Sequence, residues 1–218
     1  MMFLLFEQKI FHALKGSKRN KMKNPVNQDD ISSQREYFDH LHTITLKGKI
    51  YRSFYLYPRI NRSFKGRALD VGCGLGDFAS HRPGTVAIDV NPFCVDYCKE
   101  LGIESYHVKE PPFPFDNESF DSIFLDNVLE HIDEPDSLLS EIYRVLNPEG
   151  RFIIGVPGKQ GFRCQADHRV YYDEESLSKK LLEHSFFMKK HFFTPFKSEY
   201  LNENLNAYCL YAVFEKEA

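Results

Sequence analysis

At 218 residues, with 42% hydrophobic and 27% charged side chains, the chain is long enough for one well-cored domain plus an extension, and too apolar to be disordered as a whole. Its net charge of −3 divides unevenly: residues 1–66 hold 13 Lys/Arg against 5 Asp/Glu, and the remainder 15 against 26. Five cysteines with no C-x-x-C pair, Cys94 and Cys98 standing four apart, argue against a disulfide scaffold or a zinc knuckle, so free thiols and no metal site are expected.

The opening Met1–Phe6 run is too short to span a bilayer and is interrupted by Glu7. It also lacks a basic n-region and a small-residue cleavage site, so a cytoplasmic protein is expected. Residues 1–15 read as an amphipathic helix with Phe3, Phe6, Ile10 and Leu14 near one face, followed by a basic stretch to Gln28. Two uses fit: a peripheral membrane contact through residues 1–24, apolar face in lipid and lysines on the headgroups, or a helix packed on the body or over the active-site mouth. From Asp29 to about Arg62 the apolar spacing is helical, and Lys65-Gly66 breaks it.

Strands and helices then alternate. Short apolar runs at Arg67–Val71, Thr85–Asp89, Glu104–Val108, Ser122–Leu125 and Arg151–Val156 predict five strands, with helices at Asp77–Ser80, Pro92–Leu101 and Asp136–Leu146 and a turn at Asn147–Gly150. Pro92 and Pro135 stand where a helix's first turn tolerates proline. A helix over Glu174–His184, capped by Asp173, precedes two β-rich runs, Met188–Phe193 and Asn206–Phe214. The pattern predicts an α/β, doubly wound, mostly parallel sheet with antiparallel strands at its C-terminal edge. A helical, basic extension over residues 1–64 would precede the α/β domain of residues 65–218.

The chemistry concentrates in Ala68-Leu-Asp-Val-Gly72-Cys-Gly74-Leu-Gly76-Asp77, a strand running through three alternate glycines into a helix. Glycines serve where a loop turns sharply and a ligand lies against bare backbone. The dinucleotide fingerprint G-x-G-x-x-G/A needs a small residue at position 77; Asp77 stands there, and its charge would repel a pyrophosphate. Asp89 ends the second strand, 17 residues after Gly72, where an acid can accept from ribose hydroxyls.

This G-x-G-x-G arrangement, with Asp70 at the end of the strand, resembles motif I of class I S-adenosylmethionine-dependent methyltransferases of the type 11-like family. Three later segments fit the resemblance: Pro111–Asp121 is similar to the family's L-P-F-x-D-x-S-F-D stretch, Leu125–His131 to its segment after strand 4, and Leu138–Gly150 to its L-x-E-I-x-R-V-L-K-P-G-G helix and turn. Asn147 and Glu149 replace that pattern's Lys and one Gly. The resemblance covers Lys65–Pro157 and implies a Rossmann-like fold and S-adenosylmethionine as cofactor. It places Asp70, Gly72, Cys73, Gly74 and Gly76 at the methionine and ribose parts, and Asp89 and Val90 at the ribose. His107, Val108 and Lys109 fall near the adenine, with His107 or Glu110 standing in for the family's adenine-accepting acid. Asp126 and Asn127 fall at the methionine end and the acceptor.

A hydroxyl acceptor would also need a base, for which His131 and His168 are the candidates, each with the alternative of a structural, hydrogen-bonded histidine. Asp126-Asn-Val-Leu replaces the (D/N)-P-P-(Y/F) signature of nucleic-acid amine methyltransferases, so a small-molecule, sugar or lipid-linked acceptor is expected rather than nucleic acid. A catalytically idle cofactor-binding subunit or regulator is the alternative. Oligomeric state and acceptor identity are not written in the sequence.

Overall fold

The computed structural model describes residues 28–43 and 46–216; the helix expected over residues 1–15 and most of the basic stretch after it lie outside the described residues. The first described segment is helical: α1 (Gln28–Leu41), α2 (Leu46–Tyr51), a π-helical turn (Arg52–Leu56) and α3 (Tyr57–Asn61). The α/β part follows as β1 (Ala68–Val71), α4 (Asp77–His81), β2 (Val86–Asp89), α5 (Pro92–Glu100), β3 (Ser105–His107), β4 (Phe120–Asp126), a 3-10 turn (Leu129–His131), α6 (Asp136–Val145) and β5 (Leu146–Pro157). It ends with α7 (Lys159–Cys164), α8 (Glu174–Leu182), β6 (Phe186–Thr194), α9 (Glu199–Asn204) and β7 (Cys209–Lys216).

Seven strands form one sheet in the order β3-β2-β1-β4-β5-β7-β6. The first five are parallel, as helix crossovers require. β7 runs antiparallel to both neighbours and lies between β5 and the edge strand β6. This is the class I methyltransferase order.

Both faces are covered, so β1 and β2 are buried along their whole length and are apolar except for Asp70 and Asp89. Alternation sorts the longer strands. Ile123, Leu125, Phe152 and Ile154 face α6 and α8, meeting Leu139, Ile142, Leu177 and Leu181. Phe124, Ile153, Tyr211 and Val213 point the other way, against Phe78 of α4 and Leu56, Tyr57 and Ile60 of the N-terminal helices. Each such fully buried side chain contributes roughly 1.5–3 kcal/mol of transfer free energy.

Local chemistry fixes the element ends. Asn91 caps α5, its side chain accepting from the Phe93 amide, and Pro92 occupies the first turn. Asp173 and Ser176 make a reciprocal capping box at the start of α8. Among the described residues, no helix is long and apolar enough to cross a membrane.

Candidate active site

The three glycines of the loop after β1 wrap the C-terminal ends of β1 and β2. Gly72 and Cys73 donate to Ile88 O at 2.9 and 3.1 Å, extending the parallel pairing into the loop. Gly72 has a φ of +74°, and a Cβ there would sit 2.5 Å from Val128 Cγ2, so only glycine fits. At Gly74 (φ +52°) a Cβ would meet only Leu41 Cδ1, at 3.6 Å; backbone is open to a ligand on that side. The Cys73 side chain is buried with Ala87 and Cys98, its Sγ 3.7 Å from Cys98 Sγ, which leaves its backbone to face the cleft.

Three carboxylates stand at the C-terminal ends of the adjacent strands β2, β1 and β4. Asp89 accepts from the Gly74 and Asn91 amides, both at 2.8 Å, and so holds the glycine loop to the next helix. Burial pushes its pKa up, against those two bonds and His107. Asp70 is pushed well above the ordinary range by burial and by Asp126. Asp126 accepts from Tyr211 Oη and Asn127 Nδ2, both at 2.9 Å; burial raises it while Arg52 on the π-helical turn opposes the rise. Gly155 permits this cluster, because a Cβ there would lie 2.4 Å from both Asp126 Oδ1 and Tyr211 Cε1. Like charges held this close in a poorly solvated cleft make a cation the complementary ligand.

The edge beside β3 is more open. His107 Nε2 lies 2.9 Å from Val90 O; Val90, His107 and Lys109 are exposed, whereas Val108 leans on the core. The loop that follows is clamped from α6: Glu141 accepts from the Phe113 amide, and Arg144 donates to Phe115 O, Asn117 Oδ1 and Glu141. This clamp is what the E-I-x-R segment does. Over the glycine loop lies α1, with Phe38 against Phe93 and Tyr97 and with Asn91 Nδ2 donating to Gln34 O at 2.8 Å. Tyr37 is driven up by burial and by Asp89.

The two candidate bases come together. The His131 and His168 rings meet edge to face with centroids 4.7 Å apart. His131 Nδ1 is 3.1 Å from Asp167 Oδ2; burial works against its charge, but Asp167 and Glu130 raise its pKa overall. His168 Nδ1 lies 3.0 Å from Phe162 O, and burial and His131 lower its pKa. Glu130, fully buried, completes the group with its pKa pushed up to about 8 by burial. Asp167 and Glu130 were not singled out by the sequence reading.

Residues 69–154 match the "Methyltransferase domain" family, type 11. Over this stretch the chain is similar to that family's methyltransferase domain. It is 30% identical over 115 residues to an uncharacterized protein of Methanocaldococcus jannaschii, spanning 53% of this chain and 54% of that one. It is 31% identical over 97 residues to a fatty-acid O-methyltransferase of Mycolicibacterium smegmatis, spanning 40% of this chain and 35% of that one. The chain thus spans about half or less of the length of these relatives. Among solved structures, the Burkholderia thailandensis 1,6-didemethyltoxoflavin-N1-methyltransferase with bound 1,6-didemethyltoxoflavin and S-adenosylhomocysteine superposes with a TM-score of 0.60 at 19% identity, covering 92% of this chain and 93% of that one.

The methyl donor of such a domain is S-adenosylmethionine, whose sulfonium makes its methyl group electrophilic. The cleft of this methyltransferase domain fits it. An open backbone at Gly74 admits close approach, and the carboxylates of Asp70, Asp89 and Asp126 suit a ligand that carries positive charge and no phosphate.

Proposed function

We propose that the protein transfers the methyl group of S-adenosylmethionine to a small-molecule, sugar or lipid-linked acceptor. The observation that carries this reading is the run of three carboxylates across β2, β1 and β4, Asp89 and Asp70 buried and Asp126 half-buried, beside a glycine loop whose backbone is open at Gly74. In this reading Gly72, Gly74, Gly76 and the Cys73 backbone line the methionine and ribose parts, and Asp70 holds the ammonium end. Asp89 spends two of its roughly four lone-pair sites on backbone and keeps the rest for ribose hydroxyls. Val90, His107, Val108 and Lys109 border the adenine, and Asp126 and Asn127 the methionine end. The domain's task is to exclude water and align nucleophile, methyl carbon and sulfur, a positioning effect worth about 7–11 kcal/mol when complete. For a hydroxyl acceptor, His131 is the better placed of the two histidines to deal with the proton: its side chain is 25% exposed and is oriented by Asp167, whereas His168 is 3% exposed.

Calorimetric titration with S-adenosylmethionine, S-adenosylhomocysteine and NAD tests the reading. Binding of the first two, at least tenfold weaker in Asp89→Ala and in the isosteric Asp89→Asn, with no binding of NAD, is the expected result. Failure of both methionine-derived ligands to bind the wild-type chain would overturn it. Cofactor binding without turnover across hydroxyl, amine and sugar acceptors would favour an idle cofactor-binding subunit instead.

A further inference from the structure

Among the described residues, Glu130 is a buried carboxyl group, 0% exposed, with neither oxygen holding a hydrogen-bond partner. Buried carboxyl groups are ordinarily paired or hydrogen-bonded, and one left unmatched is costly to bury. His168 Nε2 lies 3.8 Å from Oε1. That is too long for a hydrogen bond. It is close to the separation of two ligands on one tetrahedral ion, roughly 3.3–3.6 Å for bonds of about 2.0–2.2 Å.

From this geometry we propose that Glu130, His131 and His168 bind one divalent transition-metal ion, with zinc the best match to two imidazoles and a carboxylate. One ligand atom from each residue lies within 4.8 Å of the other two, so a small closing movement assembles the set. The outer contacts are those of a metal centre. His168 Nδ1 faces the Phe162 carbonyl, to which it can only donate, leaving Nε2 with its lone pair toward Glu130. His131 Nδ1 faces the Asp167 carboxylate, the orienting acceptor common behind metal-bound histidines. The two segments are also tied by backbone, since the Arg169 and Val170 amides donate to Glu130 O at 2.7 and 3.1 Å. Two histidines and a carboxylate leave at least one coordination position open on the ion. The centre follows closely on β4, so that position would be offered to an acceptor oxygen; with the ion bound, His131 would act by holding it and no longer as the base. This use rests on the methyl-transfer reading; binding of the ion does not.

The test is calorimetric titration of chelator-stripped protein with zinc, manganese and magnesium salts, without methyl donor. S-adenosylhomocysteine binding is run alongside as the check on folding. One zinc per chain is expected, with manganese weaker and magnesium weakest. Glu130→Gln and His131→Gln should each weaken zinc binding at least 100-fold, and Asp167→Asn 10–100-fold, the range for an orienting partner. Wild-type protein that binds S-adenosylhomocysteine but none of the three ions would overturn the proposal. So would zinc binding undiminished in Glu130→Gln, or, should that variant not fold, in the partly exposed His131→Gln. Zinc binding that depends on these residues in a chain that ignores both methionine-derived ligands would support the metal centre and count against the methyltransferase reading.

Discussion

Asp89 accepts from an amide on either side of it, Gly74 in the preceding loop and Asn91 at the start of α5, and so sets the shape of the cleft before any ligand arrives. Burial raises Asp70, Asp89 and Asp126 together, which links cofactor binding to pH. Their pKa values in the free protein lie above the ordinary carboxylate range, and a bound cation favours the ionised forms. Protons therefore leave on binding, and affinity for S-adenosylmethionine rises with pH across the window just above the ordinary carboxylate range. S-adenosylhomocysteine lacks the sulfonium charge and should show the shallower slope. Calorimetry at several pH values in buffers of different ionisation heat reads both; equal slopes, or affinity falling with pH, would contradict the account. Asp89 was legible as an acid ending the second strand. Its two backbone contacts were not, because they depend on the loop's path in space.

At the scale of elements, β5 brings Gly155 opposite Asp126 and Tyr211, and the three fit only without a side chain at 155. Gly155→Ala should cost about 1–3 kcal/mol as overpacking, seen as a lower denaturant midpoint at unchanged slope; wild-type stability would mean that the Asp126–Tyr211 contact is dispensable. The Glu141–Arg144 clamp gives a second case. Arg144→Ala removes donors to Phe113 O, Phe115 O, Asn117 and Glu141, and should loosen the loop before β4, read as faster amide exchange over residues 113–117. The parallel strands β1, β2, β4 and β5 were legible because each holds a short, mostly apolar run bounded by turn residues. The short helices α7 and α9 were not: each is six residues, too brief for periodicity to register. The meeting of Glu130 and His131 with His168 was also hidden, since no spacing in the chain announces a contact made by two separate loops.

For the whole molecule, the helices before β1 are part of the packing. Ile60 is 0% exposed and sits with Leu56 and Tyr57 on the face formed by Phe124, Ile153 and Tyr211. Ile60→Ala should lower unfolding free energy by about 2–5 kcal/mol, as for other large-to-small core changes; a loss under 0.5 kcal/mol would show that this helix only rests on the sheet. The basic character of residues 1–66 marked that segment as different in charge, but charge does not report which apolar side chains turn inward.

The place of β7 has a kinetic consequence. It is the last strand in chain order, yet it lies inside the sheet and pairs with β5, as Phe152↔Phe214 and Ile154↔Ala212. These are contacts of high sequence separation, slow to form because a long loop must close first. Until β7 arrives, the flank of β5, lined by Phe152, Ile153 and Ile154, is an open apolar strand edge. Such an edge invites pairing with another chain. Refolding of this protein should therefore be concentration-sensitive, with yield limited by aggregation of an intermediate that still lacks its last strand.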